Sequence, residues 1–261
     1  PPKPAGPPSP TRMSRVIRAL DERGSTLLEQ MGQLASVALG QGGTSMRTKV
    51  EKALAHGKTA TSIVSQAQRR RADLLMLGSR GLSDIRGFLL GSVSRYVSVH
   101  APCPTWIIKR PLTSLGQVVL AVDASNHSRR ACDFLCANFL DESSRVSVLS
   151  VAGHELTDMA SRVLPATDLQ QLVQPQIDRA HQLVETYRNR LIGTGCSVTT
   201  EVATGHPSEA ILKHAEKSRA DLIVVGSRGL EGAERLQLGS VAENVLKYAP
   251  CSVLIVRPHL S

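Results

Sequence analysis

Two short glycine segments near the end of the chain have the composition needed to hold a phosphate group. Gly226-Ser227-Arg228-Gly229 is followed, after nine residues, by Gly239-Ser240. Glycines let backbone N–H groups approach an anion closely. Gly239-Ser240 stands where a helix is predicted to begin, and the N–H groups and dipole of a helix start favour a bound phosphate. The alternative is that Gly226 and Gly229 only form a turn.

Asp123 is a second candidate binding residue, because it directly follows the apolar run Val118–Val122. A carboxylate at the end of a buried strand can accept hydrogen bonds from ribose hydroxyls. In a doubly wound sheet, ligands bind beyond the carboxyl ends of the strands, where the strand order reverses. The alternative is that Asp123 only caps the helix that follows, although Ser125 and Ser128 are also available as caps.

Three histidines, His127, His206 and His214, are candidates for a general acid or base. The alternative is that they are solvated, as such histidines usually are. The chain has no GxxxxGK[ST] loop, GxSxG elbow or HExxH helix. Hydrolysis of a phosphate chain needs a group that orients water and a cation that stabilises the leaving charge. Neither can be identified in the sequence, which therefore predicts binding and no catalytic residue.

An internal repeat organises the chain. Residues 71–82 and 219–230 are identical at nine of twelve positions, at an offset of 148 residues. The same offset aligns Gly91-Ser92 with Gly239-Ser240, and residues 101–103 with residues 249–251. Each copy is longer than a solenoid repeat, which indicates a duplicated domain.

The second copy is predicted to be a complete α/β domain. Short valine-rich runs alternate with helical segments, a pattern typical of a parallel, doubly wound sheet. The strands are predicted at Val118–Val122, Val146–Val151, Val198–Val202, Leu222–Val225 and Val253–Val256, and the helices at Ser125–Ala137, Asp168–Leu191, Pro207–Lys217 and Ser240–Tyr248.

The first copy is predicted to be incomplete. Its first strand would fall before residue 1 at the offset of 148, and its second would coincide with a proline-rich segment. We therefore expect a Pro-rich segment over 1–12, a partial first domain over 13–112 that starts at a helix of roughly Met13–Leu39, and a complete second domain over 116–261. A fragment of a longer protein, a decayed domain and a recombinant trim are the three explanations.

Composition excludes several classes of protein. The chain has 261 residues, 41% of them hydrophobic, and no apolar run of about 18 residues that could cross a membrane. Aromatic residues make up only 3%, which disfavours nucleic-acid modules that stack bases on rings. Six of the first ten residues are proline, unlike a secretory signal, and the five cysteines form no CxxC pair. These features predict a cytoplasmic protein with reduced thiols.

The net charge of +9 is uneven, with 17 basic and 6 acidic residues in 1–115 against 14 and 16 in 116–261. A basic half could serve an anionic partner. The alternative is that runs such as residues 69–71 are solvated helix faces, and no nucleic-acid motif accompanies the charge.

These residues resemble the universal stress protein family. Its nucleotide-binding members carry G-x2-G-x9-G-[ST] after the fourth strand, matched here at Gly226, Gly229, Gly239 and Ser240, and in the first copy at Gly78, Gly81, Gly91 and Ser92. The segment D-x-S-x-x-S-x-x-A of the family is matched by Asp123, Ser125, Ser128 and Ala131.

The resemblance implies a five-stranded sheet of order 3-2-1-4-5 and ATP, or another adenine nucleotide, as ligand, with or without Mg²⁺. Asp123 would hold the ribose, the backbone of Val151 would face adenine, and Ala121 and Val122 would line the base pocket. The phosphates would contact Gly226, Gly229, Gly239, Ser240 and the Val241 amide, with Arg228 adding charge.

The resemblance further implies a nucleotide-responsive stress or regulatory module. The alternatives are a slow ATPase and an adaptor that binds no nucleotide. The fifth strands, Thr105–Lys109 and Val253–Val256, are expected to pair with each other within the chain or across a homodimer.

Overall fold

A computed structural model of the chain describes residues 18, 21–30, 33, 49–80, 90–110, 115–152, 166–229 and 238–257. The chain divides into two compact units, residues 1–59 and 60–261. In the first unit residues 21–30 are helical, inside the predicted helix 13–39. The Pro-rich segment 1–12 lies outside the described residues, and the domain boundaries drawn from the repeat stay predictions.

The described residues from 59 onward form one sheet of seven strands and the helices that pack on it. The strands are β1 (Leu75–Gly78), β2 (Thr105–Ile108), β3 (Gln117–Ala121), β4 (Arg145–Ala152), β5 (Ser197–Thr204), β6 (Leu222–Gly226) and β7 (Ser252–Val256). The helices are α1 (Thr59–Arg69), α2 (Ser92–His100), α3 (Asn126–Asn138), α4 (Ala166–Ile192), α5 (Pro207–Lys217) and α6 (Ser240–Tyr248).

The second copy has the predicted topology. Its five strands lie in the order β5-β4-β3-β6-β7, and all four neighbouring pairs are parallel. Numbered within the copy, this is the order 3-2-1-4-5. The valine-rich runs form strands because they are buried on both faces, as in other parallel sheets.

Successive residues of the central strands enter two separate cores. Val118 and Leu120 of β3 lie in a cluster with side chains of α3 and α4. Val119 and Ala121 lie in a second cluster with side chains of α5 and α6. This alternation follows from the two-residue period of a strand, so α3 and α4 cover one face of the sheet and α5 and α6 the other.

The duplication is visible in backbone conformation as well as in sequence. Arg71 and Arg219, which differ by the repeat offset, have φ values of 48° and 52°. Gly57 and Gly205 are also equivalent, with φ of 106° and 101°. Positive φ is uncommon for a residue with a side chain, so its recurrence at both arginines shows the same turn in each copy.

The first copy extends the sheet of the second. Its fifth strand, β2, pairs antiparallel with β7, with Trp106 opposite Leu254. The predicted pairing of the two fifth strands within one chain is therefore confirmed. β1 pairs parallel to β2 and ends the sheet among the described residues.

Residues 50–54, equivalent to the predicted strand Val198–Val202, are not in a strand. In the second copy, the equivalent strand β5 pairs only with β4. At the repeat offset, half of the positions equivalent to β4 fall before residue 1 of this sequence.

Candidate functional site

The candidate site lies at the carboxyl ends of β3 and β6. These two strands are parallel neighbours, and the chain runs outward from β3 through β4 and β5 before returning to β6. The strand order therefore reverses between β3 and β6, which is where doubly wound sheets bind ligands. The start of α3 borders this point on one face and the start of α6 on the other.

Asp123 is held in place by the first turn of α3. Its Oδ1 accepts hydrogen bonds from the Ser125 N–H (3.0 Å), the Ser125 hydroxyl (2.5 Å) and the Ser128 hydroxyl (2.6 Å). Ser125 is the N-cap of α3, since its side chain accepts a hydrogen bond from the Ser128 N–H. Asp123 is therefore not the helix cap itself: it orients the two serines with one carboxylate oxygen.

The second carboxylate oxygen of Asp123 faces the glycine loop. A Cβ atom placed on Gly229 would lie 2.8 Å from Asp123 Oδ2, closer than real contacts allow. Two candidate residues more than 100 positions apart in the sequence are thus brought together. Any residue larger than glycine at position 229 would therefore force this oxygen to move.

Gly226 serves packing. A Cβ on Gly226 would lie 2.8 Å from His127 Cβ and 2.9 Å from the His127 carbonyl carbon. The end of β6 therefore lies directly against the first turn of α3, which only a glycine permits.

The loop between β6 and α6 is closed by two backbone hydrogen bonds. The Ser227 N–H donates to the Val256 carbonyl (2.8 Å), and the Ser227 carbonyl accepts from the Gly239 N–H (2.9 Å). Gly239 is the N-cap of α6 and offers no side chain to the first turn. The N–H groups of Ser240 and Val241 therefore have no acceptor within the helix.

His127 is a neighbour of the loop that sequence reasoning did not place there. Its Nδ1 lies 3.1 Å from the Ser227 hydroxyl. Burial, followed by the positive charges of Arg228 and Arg130, lowers the pKa of His127, so the neutral ring is favoured. Its position in the first turn of a helix that begins just after Asp123 was the available signal.

The remaining predicted site residues lie near the carboxyl ends of β3, β4 and β6. Val151 is half-buried near the end of β4, opposite Ala203 of β5. The side chains of Ala121 and Val122 are buried in the two separate cores. Their role in lining a base pocket stays a prediction, as does the contribution of the half-buried Arg228.

The first copy repeats the backbone hydrogen bonds of the loop. The Ser79 N–H donates to the Ile108 carbonyl (2.8 Å), and the Gly91 N–H donates to the Ser79 carbonyl (2.8 Å). These bonds match those of Ser227 and Gly239. The position equivalent to Asp123 falls before residue 1.

Comparison with known proteins gives the family. The model of the universal stress protein family matches residues 5–109 and 115–257, together nearly the whole chain. The chain belongs to the universal stress protein family. The two matched segments correspond to the two copies.

Individual relatives of this universal stress protein cover different parts of it. A universal stress protein of Bacillus subtilis (strain 168) is 28% identical over 146 residues, which are 54% of this chain and 99% of that protein. One from Mycobacterium tuberculosis (H37Rv) is 32% identical over 199 residues, which are 73% of this chain. This match spans 63% of the mycobacterial protein, less than two thirds of its length.

A solved structure supports the fold over most of the chain. The crystal structure of a universal stress protein from Archaeoglobus fulgidus superposes with a TM-score of 0.64 at 23% identity, covering 94% of this chain and 81% of that one. Within the described ranges, no helix is both long and apolar enough to span a membrane. Nor do three or more His, Cys, Asp or Glu side chains of those residues cluster as a metal site would require.

Proposed function

We propose that the second copy of this universal stress protein binds an adenine nucleotide, with ATP as the candidate, and that occupancy of the site regulates the protein. The observation that carries the proposal is the approach of Gly229 to Asp123 Oδ2, where a Cβ would lie 2.8 Å from the oxygen. It combines an anion-binding loop with a hydrogen-bond acceptor at the point where the strand order reverses.

The phosphates would bind at the start of α6. The N–H groups of Ser240 and Val241 have no acceptor within the helix, and the helix dipole adds positive potential at its first turn. Gly229 and Gly239 keep side chains away from this position. A Cβ on Gly239 would lie 3.3 Å from Arg228 Cα, so a larger residue would crowd the loop.

The ribose would bind Asp123. Its Oδ1 is fixed by three hydrogen bonds from Ser125 and Ser128. The carboxylate is therefore oriented before a ligand arrives, which lowers the entropic cost of binding. Oδ2, on the side of Gly229, would accept the ribose hydroxyls, and the backbone near Val151 would meet the adenine.

The cysteines support a reducing, cytoplasmic location as part of this proposal. All five are free, and only Cys136 is not fully buried. Proteins of oxidising compartments commonly join cysteines in disulfides.

Replacing Asp123 by alanine tests the proposal. We expect the affinity of the full chain for ATP to fall roughly tenfold to a hundredfold, because a hydrogen bond to a charged acceptor is worth about 1.5–3 kcal/mol. The measurement is calorimetric titration, with mass spectrometry of the denatured wild-type protein to identify any nucleotide that copurifies.

Asp141→Ala is a matched control. Asp141 Oδ1 accepts hydrogen bonds from the Ser143 N–H (2.8 Å), the Ser143 hydroxyl (2.6 Å) and the Ser144 hydroxyl (3.1 Å). It thus has the same kind of hydrogen bonds as Asp123. However, Asp141 precedes β4 and therefore lies at the amino ends of the strands, away from the candidate site. Unchanged ATP affinity in Asp123→Ala, with a fall in stability like that of Asp141→Ala, would refute the ligand role. Phosphate release above that of a Gly239→Val variant would instead assign the site to a slow ATPase.

A further inference from the structure

The junction between the two copies is built around an approximate twofold axis. Trp106 of β2 lies opposite Leu254 of β7, and the two residues differ by the repeat offset of 148. Each therefore faces its own counterpart. The two copies present equivalent surfaces to each other, as two identical subunits would across a symmetric dimer interface.

Two basic residues at equivalent positions, Lys109 and Arg257, each donate a hydrogen bond across the junction to the other copy. Lys109 Nζ donates to the Ala249 carbonyl (2.9 Å), at the end of α6 in the second copy. Arg257 Nη1 donates to the Ala101 carbonyl (3.0 Å), at the end of α2 in the first copy. Each hydrogen bond therefore joins the last turn of a helix in one copy to a basic side chain of the other copy. Because both residues are basic, these contacts would form equally well between two like copies.

The residues near the axis do differ between the copies, and they are complementary. Arg95 of α2 and Glu243 of α6 are also equivalent positions, and Arg95 Nη2 lies 2.6 Å from Glu243 Oε1. If two first copies met through this face, arginine would meet arginine. If two second copies met, glutamate would meet glutamate.

The pair on the axis differs in size. Trp106 and Leu254 are both buried, and the Trp106 ring packs edge-on against Phe139 of the second copy, with the ring centres 5.0 Å apart. Two like copies would place either two tryptophans or two leucines in the space that one of each now fills. Overfilled and underfilled cores are both destabilising.

We propose that this junction selects for the unlike copy: the Arg95–Glu243 and Trp106–Leu254 pairs favour joining of a first copy to a second copy and disfavour joining of two like copies. Specificity of this kind needs a repulsive element against the wrong partner as well as an attractive one for the right partner. Like charges at position 95 and position 243 supply the repulsion. The inference is independent of nucleotide binding.

Charge reversal in the full chain tests the proposal. Arg95→Glu places two glutamates across the junction, as pairing of two second copies would, whereas the double variant Arg95→Glu/Glu243→Arg restores opposite charges. Both carry Glu at position 95, so the difference between their free energies of unfolding reports on the charge that faces position 95 across the junction. Exposed ion pairs contribute modestly, so we expect Arg95→Glu to lower the folding equilibrium constant about twofold to fivefold relative to the double variant.

Urea unfolding measured at low and at high salt is the readout, with Arg95→Gln as the control without charge. We expect Arg95→Glu to be less stable than Arg95→Gln, and the double variant to return near the wild type. The defect of Arg95→Glu should shrink in about 1 M salt, where charges are screened beyond about 3 Å. Equal stability of Arg95→Glu and Arg95→Gln, or no recovery in the double variant, would overturn the proposal.

Discussion

At the scale of single residues, the glycines of one sequence pattern have different physical roles. Gly226 lies against the backbone of α3, whereas Gly229 lies against a side-chain oxygen of Asp123. Gly239 is the N-cap of α6 and has no side chain with which to cap the first turn of that helix. A motif that reads as one unit in the sequence therefore combines a packing requirement at Gly226 with the proposed ligand-binding role of Gly229.

Alanine substitutions separate these roles. In Gly226→Ala the new Cβ would lie 2.9 Å from the His127 carbonyl carbon, and the backbone cannot move away easily. We expect a loss of about 1–3 kcal/mol in the free energy of unfolding, typical of overpacking. In Gly229→Ala only the Asp123 carboxylate must move, against its hydrogen bonds from Ser125 and Ser128, so the loss of stability should be smaller than in Gly226→Ala while ATP affinity falls.

Urea unfolding and calorimetric titration of both variants check this prediction. If Gly229→Ala binds ATP as tightly as the wild type, the approach of loop and carboxylate has no part in binding. If Gly226→Ala is as stable as the wild type, the contact between β6 and α3 is looser than the structure shows.

Sequence reasoning reached some residues of the site and missed others for a physical reason. The strand end at Asp123 and the helix cap at Ser125 are local features, so spacing and residue type predicted them. The contact of His127 with Ser227 joins residues 100 positions apart. It exists because two strands become neighbours in the sheet, which no local pattern encodes.

At the scale of elements, burial decided which strands were predictable. β3, β6 and β7 are continuous apolar runs within the sheet, and their sequences predicted strand bounds to within one residue. Residues 50–54 have an equivalent in β5 but form no strand. Strand formation there depends on a neighbouring strand, which a repeat alignment does not show.

Lys109, which follows β2, makes the junction sensitive to pH. Burial lowers the pKa of Lys109 from its usual 10.5 to about 8. Between those two values the unfolded chain binds more protons at this residue than the folded chain does. The contribution of Lys109 to stability therefore rises with pH from about 8 toward 10.5.

The Lys109→Met variant lacks this contribution. Between pH 7.5 and pH 9, we expect the free energy of unfolding of the wild type to increase relative to that of Lys109→Met. The increase should be at most about 1.4 kcal/mol per pH unit. Titrations shared by both proteins cancel in the difference, including that of Cys103, whose burial raises the pKa of the thiol to about 11. The exposed Lys247→Met is the control. Parallel pH profiles for wild type and Lys109→Met would show that Lys109 titrates as a solvated lysine.

At the scale of the whole molecule, the two copies share a sheet, and the proposed nucleotide site belongs to the second copy. Both have the closed loop, formed by Ser79 and Gly91 in one copy and by Ser227 and Gly239 in the other. Asp123 of the second copy has no equivalent within residues 1–261, because that position would fall before residue 1. We therefore expect one complete nucleotide site per chain.

Calorimetric titration of the full chain with ATP tests this central claim most directly. Gly239→Val and Gly91→Val form a matched pair, because the two glycines are the N-caps of the equivalent helices α6 and α2. We predict about one site per chain, lost in Gly239→Val and retained in Gly91→Val, with circular dichroism to confirm that both variants fold. Two equal sites, no binding by the wild type, or equal loss in the two folded variants would contradict the account.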